Sequence, residues 1–146
     1  MLIDNLLTFA SALAITGTGD ATNCIDLKAA GLLGSGKPMQ VVIKVDVAAD
    51  GTTADETYAF SVVTDDNAAL TSDTTIATKA IAFAALTVGS LHTIDIPENV
   101  STERYLGLVA TLAGTTPTIT YTAWLAEKGS LPTSPTKGKF ANGYDS

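Results

Sequence analysis

The chain has 146 residues and a formal net charge of −7 at pH 7, and 46% of its residues are hydrophobic. This length suits one domain with its own core, and the negative charge excludes nucleic-acid phosphates and anionic membranes as expected partners. Charged residues make up only 16%, below the ~25% that is usual in soluble domains, so we expect strands with nearly neutral outward faces.

Strand patterns recur along the body of the chain, separated by Gly, Asp, Asn, Ser and Pro. In residues 41–47, valines and an isoleucine at odd positions alternate with Val42, Lys44 and Asp46, the period of a half-buried strand. The predicted strands are 9–15, 24–27, 41–47, 58–62, 75–83, 92–96, 105–112 and 118–127. About eight antiparallel strands in residues 1–127 predict an all-β sandwich, either a jelly roll or another Greek-key fold. Residues 128–146 contain Pro and Gly without an apolar period and predict an extended C-terminal tail.

The same alternation predicts which side chains point between the sheets. We expect the interior to contain Val41, Ile43, Val45, Val47, Tyr58, Phe60, Val62, Ile94, Ile96, Leu106, Leu108, Ile119, Tyr121 and Leu125. The opposite faces are nearly uncharged; they carry Thr118, Thr120, Thr122 and Trp124 on one strand and Ala59, Ser61 and Val63 on another. Because exposed sheets normally carry charges against sticking, we expect part of these faces to be covered in a homodimer or homotrimer.

The Gly-rich segment 31–38 has the spacing of a phosphate-binding loop up to Lys37. Pro38 stands where that motif needs a Mg²⁺-binding Ser or Thr, and a strand follows where the motif needs a helix. We therefore interpret the segment as a loop, and we predict no nucleotide and no other cofactor.

The residues with catalytic chemistry are isolated. His92 is the single histidine and shares a predicted strand face with isoleucines, which indicates a core-edge or interface residue. Cys24 is the single cysteine, and we expect a buried, unreactive thiol. We predict no catalytic residue, so the chain is not expected to be an enzyme.

An acidic loop follows the strand at 58–62. It contains Asp65, Asp66, Asn67 and Asp73, whose oxygens are Ca²⁺-type ligands, but the spacing of a calcium-binding loop is absent. We interpret it as a solvated turn and predict no metal site.

Several short stretches follow one another in a familiar order. Ile3-Asp4 precedes a Ser-x-x-x-Ile-Thr strand at 11–16, and Ile-Asp-Leu follows at 25–27. Arg-Tyr-Leu-Gly-Leu at 104–108, Thr-Tyr-Thr-Ala at 120–123 and Gly-Tyr at 143–144 complete the series. In this order the chain resembles the Bbp16-like capsid cement, or decoration, proteins of tailed bacteriophages; residues 48–91 carry no mark of that family.

The resemblance implies a jelly roll that assembles into small homo-oligomers and binds the major capsid protein. It places the protein on the outer capsid surface of the virion after synthesis in the host bacterial cytoplasm, where it stabilises the shell. The alternative is a β-sandwich module of a virion or cell surface that binds a glycan or receptor.

The two ends of the chain, residues 1–7 and 128–146, are expected to be contact arms. Isolated apolar or basic side chains in otherwise flexible sequence suit contacts that become ordered on binding. The candidate partner-contact residues are Leu2, Ile3, Leu131, Lys137, Lys139, Phe140 and Tyr144.

Overall fold

The structure is a computed structural model that describes residues 7–33, 38–98 and 100–128. Its strands are β1 (Thr8–Ile15), β2 (Gly19–Asp20), β3 (Ile25–Asp26), β4 (Gly31–Leu33), β5 (Met39–Val47), β6 (Thr57–Asp65), β7 (Thr74–Ile81), β8 (Leu91–Ile96), β9 (Val100–Thr102), β10 (Tyr105–Ala113) and β11 (Ile119–Glu127). A short 3-10 turn, Phe83–Ala85, precedes β8. The predicted all-β class is confirmed.

Two antiparallel sheets form the sandwich. Sheet one has the order β1-β11-β5-β8, and sheet two has the order β2-β10-β6-β7, with β3 also paired to β10. The short strands β4 and β9 form a separate antiparallel ribbon. Gly31–Leu33, predicted as part of a loop, is therefore a strand.

The interior lies between the two sheets. Phe60 of sheet two meets Tyr121 of sheet one edge to face, with ring centroids 5.3 Å apart and planes at 73°. Every predicted interior residue except Val47 is buried. The alternation of apolar residues therefore identified the inward faces of the long strands correctly.

Val47 is 57% exposed, so its predicted place in the interior is wrong. The register between β5 and β11 shifts by one residue: Tyr121 lies opposite Val45, but Thr120 lies opposite Val47. Asp46 is thus an extra residue on β5, and a bulge of this kind turns the residues after it to the other face. Val47 consequently lies beside the outward-facing Thr120.

The predicted strand 75–83 is too long. It ends at Ile81, and Phe83 begins the 3-10 turn with its ring against Gly51. Trp124 and Val63 were predicted on nearly uncharged outward faces, and they lie outside the interior cluster but are only 4% and 2% exposed within a single chain. Their burial needs a covering on the outside of each sheet.

Candidate functional site

The predicted contact residues Leu2, Ile3, Leu131, Lys137, Lys139, Phe140 and Tyr144 lie outside the described residues, so their roles remain predictions. Of the two predicted arms, only Leu7 and Lys128 are described. The long strands of both sheets lie within the described residues, so their outward faces can be examined.

The outward face of sheet one carries a buried patch. We call Thr8, Gln40, Val42 and Trp124 the sheet-one patch; they are 8%, 4%, 0% and 4% exposed. Trp124 of β11 lies opposite Thr8 of β1 on one side and Val42 of β5 on the other. Their neighbours along each strand belong to the interior, whereas Val42 and Trp124 do not belong to the interior cluster. The patch therefore faces away from the core and is nevertheless shielded from water.

Two hydrogen-bond donors in the patch have no acceptor among the described residues. They are the side-chain nitrogens Nε2 of Gln40 and Nε1 of Trp124, and both are fully buried. Buried polar groups normally find a partner, because leaving one unpaired costs about 1–3 kcal/mol. The patch is thus apolar at Val42 and Trp124 and offers donors at two points.

The rest of the face is polar. Thr122 Oγ1 donates to Asp46 at 2.6 Å and accepts from the backbone N–H of Ala12 at 2.9 Å. Lys44 Nζ pairs with Asp46 at 3.1 Å. The face predicted to be nearly uncharged therefore carries charges contributed by the neighbouring strand β5.

At the end of β11, the chain remains attached to sheet one. The backbone N–H of Lys128 donates to the carbonyl of Pro38 at 2.9 Å, and its Nζ pairs with Asp95 of β8 at 3.1 Å. Lys128, the last described residue, thus lies beside β5 and β8.

Part of the outward face of sheet two is covered by the loop of residues 66–73. A Cβ at Gly107 would collide with Cδ1 of Leu70, so the leucine side chain lies directly over the glycine. Gly107 is paired with Val63, which is 2% exposed. Here a described segment accounts for the burial of an outward-facing valine.

Asp65 anchors that loop. Asp65 is only 1% exposed. Its carboxylate accepts three hydrogen bonds, from Ser72 N at 2.8 Å, Ser72 Oγ at 3.2 Å and Asn67 N at 3.3 Å. These donors, the Ser72 N–H first, hold the pKa of the Asp65 carboxyl below its usual range because they stabilise the charged form. The prediction of a solvated turn is therefore wrong for Asp65.

Carboxylate oxygens of Asp65, Asp66 and Glu103 lie within 4.8 Å of one another. This is the group among the described residues that has the composition of a cation site. Asp73, which the acidic-loop interpretation included, is not part of it. Asp65 already accepts three hydrogen bonds and the other two carboxylates are exposed, so the cluster by itself defines no metal site.

His92 lies beside a hydroxyl, which raises the question of catalysis. Its Nε2 is 3.0 Å from Ser90 Oγ and 3.1 Å from the carbonyl of Ala85. Only a protonated Nε2 can donate to that carbonyl, and Ser90 Oγ donates to Thr87 O at 2.7 Å. An Nε2 that carries this proton cannot accept the proton of Ser90, and burial lowers the pKa of the imidazole. The pair stabilises the turn before β8.

Cys24 is half-buried, so its predicted full burial is wrong. It precedes β3 at the edge of sheet two, where its Sγ is 3.5 Å from the carbonyl of Ala68 in the covering loop. The position at a sheet edge leaves one side open.

A recess of about 320 Å³ lies at one end of β6 and β7. Glu56, Tyr58 and Phe83 are among its lining residues. Glu56 is 4% exposed; its Oε1 accepts from the hydroxyl of Thr53 at 2.6 Å, and its Oε2 has no partner among the described residues. The recess is a concave site with one buried carboxylate.

The described part of the chain defines an antiparallel β-sandwich in which both outward faces hold shielded side chains. In residues 7–33, 38–98 and 100–128, no helix has the length and apolar character needed to cross a membrane. The sequence pattern of the Bbp16 family matches residues 9–124, which is most of the chain, and the chain therefore belongs to the Bbp16 family. This family is phage-associated. No curated protein matches the chain.

Proposed function

We propose that the protein is a phage capsid cement protein that binds the outer surface of the major capsid protein lattice and stabilises the shell. The single observation that carries this proposal is the Bbp16 family match over residues 9–124, which indicates a phage-related structural protein. The match covers the sandwich from β1 into β11, so it concerns the whole fold.

We infer a jelly-roll topology from the strand order. If β2 and β3 are taken as one position beside β10, each sheet has four positions, in the orders β1-β11-β5-β8 and β2/β3-β10-β6-β7. Eight positions in two sheets, with the chain passing repeatedly from one sheet to the other, are what two Greek keys produce. This supports the fold that the family resemblance implies.

The proposed capsid contact lies at the end of the sandwich where β5 finishes. Val47 and Val88 are 57% and 69% exposed there. The turn that carries Val88 is attached to β5, because the N–H of Gly89 donates to the carbonyl of Val45 at 2.8 Å. Exposed aliphatic side chains at one end of a sandwich suit contact with a partner surface.

The direct test is addition of the purified protein to shells that lack it. We expect the protein to co-sediment with the shells and to raise their resistance to heat. Absence of co-sedimentation, with unchanged shell stability, would contradict the cement role. Binding to a glycan array in place of the shell would favour the alternative of a glycan-binding module.

A pair of variants locates the contact. Val88→Asp places a charge at the proposed contact and should reduce shell binding. Leu32→Asp is the matched control, because Leu32 is 63% exposed in β4 and is joined to the start of β5 instead of its end. Equal loss of binding in both variants would show that the contact is elsewhere.

The expected homo-oligomer is tested by light scattering of the protein alone and by a map of the intact particle. A dimer or trimer in either sample would support it. A monomer in both samples would contradict it.

A further inference from the structure

We propose that the recess at one end of β6 and β7 receives the side chain of a lysine from a partner protein. The ammonium group pairs with the buried carboxylate of Glu56, and the methylene stem packs against the apolar wall. The inference rests on the proposed cement role only for the identity of the partner, which would be the major capsid protein. The binding chemistry follows from the recess itself.

The wall of the recess is suited to an aliphatic stem. Its volume is about 320 Å³, and Ile81, Ala82 and Phe83 are among the residues that line it. A Cβ at Gly51 would collide with the ring of Phe83, so the ring lies directly over this glycine. The wall is therefore built before a ligand arrives, and it buries methylene groups favourably.

Glu56 supplies an unused acceptor at the recess. It is only 4% exposed, although it is ionisable. Its Oε1 accepts from the hydroxyl of Thr53 at 2.6 Å and from the N–H of the same residue at 3.3 Å. Its Oε2 is buried and has no partner among the described residues. Buried polar atoms normally have a hydrogen-bond partner, so this oxygen is an acceptor that a ligand can satisfy.

Hydrogen-bond donors near Glu56 are already in use. The hydroxyl of Thr53 has one proton, yet it lies 2.6 Å from Glu56 Oε1 and 2.5 Å from Asp55 Oδ1. The hydroxyl of Tyr58, which also lines the recess, donates to the backbone carbonyl of Asp50 at 2.8 Å. A ligand for Oε2 must therefore bring its own donor.

The charge around the recess favours a cationic donor. Asp50, Asp55 and Glu56 are three carboxylates within seven residues of the chain, and no Lys, Arg or His lies between Lys44 and Lys79. None of the residues that line the recess is basic. Lys79 is on β7, but its ammonium group donates to a backbone carbonyl at 3.0 Å. The cation that complements Glu56 must therefore come from another molecule.

The free oxygen selects lysine over arginine. A guanidinium group binds best when both oxygens of a carboxylate accept from it, whereas an ammonium group is a compact donor that needs one oxygen. Here Thr53 occupies Oε1 of Glu56, and only Oε2 is free. The last torsion of a glutamate is broad, so a small rotation presents Oε2 to a donor in the recess.

The recess lies at the end of the sandwich that carries the proposed capsid contact. Tyr58, in the wall of the recess, donates to the carbonyl of Asp50, which follows β5. The N–H of Ala49 donates to the carbonyl of Leu86 at 3.0 Å, two residues before the exposed Val88. The segment after β5 thus joins the recess to the turn that carries Val88, and one partner surface can contact both.

The binding chemistry is tested on the full chain without any partner. Titration with n-butylammonium, which has the ammonium and stem of lysine, is followed by NMR. We expect saturable shift changes at Glu56 and Phe83, and binding about tenfold tighter than that of n-butanol, which lacks the charge. Absence of binding, or equal affinity for n-butanol, would overturn the proposal. Tighter binding of methylguanidinium would overturn the choice of lysine.

Two variants assign the binding to this recess. Glu56→Gln keeps the shape of the side chain and removes its charge, so n-butylammonium should bind about tenfold more weakly. Ala80→Phe obstructs the recess from its exposed edge and leaves the carboxylate in place, so it decides the question if Glu56→Gln unfolds the protein. Thr74→Phe, exposed at the opposite end of β7, is the matched control and should bind as the parent does. Parent-like binding by Ala80→Phe would overturn the assignment.

Co-sedimentation with shells tests the partner. We expect Glu56→Gln and Ala80→Phe to bind shells about tenfold more weakly than the parent, and Thr74→Phe to bind equally well. Parent-like shell binding by both recess variants would overturn the lysine contact and leave the cement role intact. If the parent itself does not bind shells, the cement role fails, and the amine titration still decides whether the recess binds an ammonium group.

Discussion

The two sheets of the sandwich shield their outward faces in different ways. On sheet two, Leu70 from the loop that follows β6 lies on Gly107, and Val63 beside it is buried. On sheet one, Val42 and Trp124 are buried to a similar degree, beside the buried polar residues Thr8 and Gln40. The comparison shows that a residue's direction from its strand and its exposure to water are separate properties.

The two coverings also differ in how they are held. The loop over sheet two is fixed by a buried carboxylate, Asp65, which accepts from Ser72 and Asn67. The patch on sheet one holds two donors, on Gln40 and Trp124, that have no acceptor among the described residues. One outward face is therefore closed by a loop with local polar bonds, whereas the other holds buried donors that have no acceptor among the described residues.

The largest expected effect tests whether Trp124 is as well packed as a core residue. Truncation of a buried aromatic side chain costs about 3–5 kcal/mol, and we expect this for both Trp124→Ala and Phe60→Ala. Urea unfolding followed by circular dichroism measures both, since the first variant has no tryptophan. A cost for Trp124→Ala below that of an exposed-site control such as Val88→Ala would show that the patch is not covered in solution.

The next effect compares matched valines on the two outward faces. Val42→Ala and Val63→Ala each remove two methyl groups from a residue at most 2% exposed, and each should cost about 1.5–3 kcal/mol. The inward-facing Val62→Ala is the control of the same size. If Val42→Ala costs far less than the other two, the covering of sheet one is looser than that of sheet two.

These expectations bear on what a sequence can reveal. Period-two alternation placed Val41, Ile43 and Val45 inward correctly, because side-chain direction on a regular strand follows from geometry alone. It failed at Val47, since the extra residue Asp46 changes the face and leaves no mark in the pattern. It also could not show that Trp124 is buried, because coverage depends on segments distant in the sequence.

The candidate site also combines features that the sequence predicted with features that it missed. The all-β class and the family follow from many weak local signals in order along the chain. The role of Asp65 was missed, because an aspartate that anchors a loop and one in a solvated turn have the same sequence context. Its place as the last residue of β6, followed by Asn67 and Ser72, is the one signal that pointed to loop capping.

The third prediction concerns pH and the loop on sheet two. The folded pKa of Asp65 lies below its unfolded value, so its stabilisation is present at neutral pH and is lost as the pH falls through the folded pKa. Asp65→Asn should lower the unfolding midpoint at pH 7, and the difference from the parent protein should shrink below about pH 3.9. Asp73→Asn is the control, because Asp73 is an exposed residue of the same loop and is not part of the carboxylate cluster. A difference that is constant with pH would mean that Asp65 acts through its shape and not through its charge.

The smallest expected effect tests whether Leu70 covers sheet two. A Cβ at Gly107 would collide with Leu70 Cδ1, but that atom is the far end of a flexible side chain on a loop and can shift. Gly107→Ala should therefore cost roughly 1 kcal/mol or less, the cost of displacing a packed methyl group. Gly19→Ala is the control, because nothing lies within 4 Å of a Cβ at that position. The decisive measurement is the same substitution in a Leu70→Ala background: residues in contact are not additive, so the cost of Gly107→Ala should disappear there. An equal cost in both backgrounds would show that Leu70 does not pack on Gly107. In that case loop 66–73 would not explain why the outward face of sheet two is shielded.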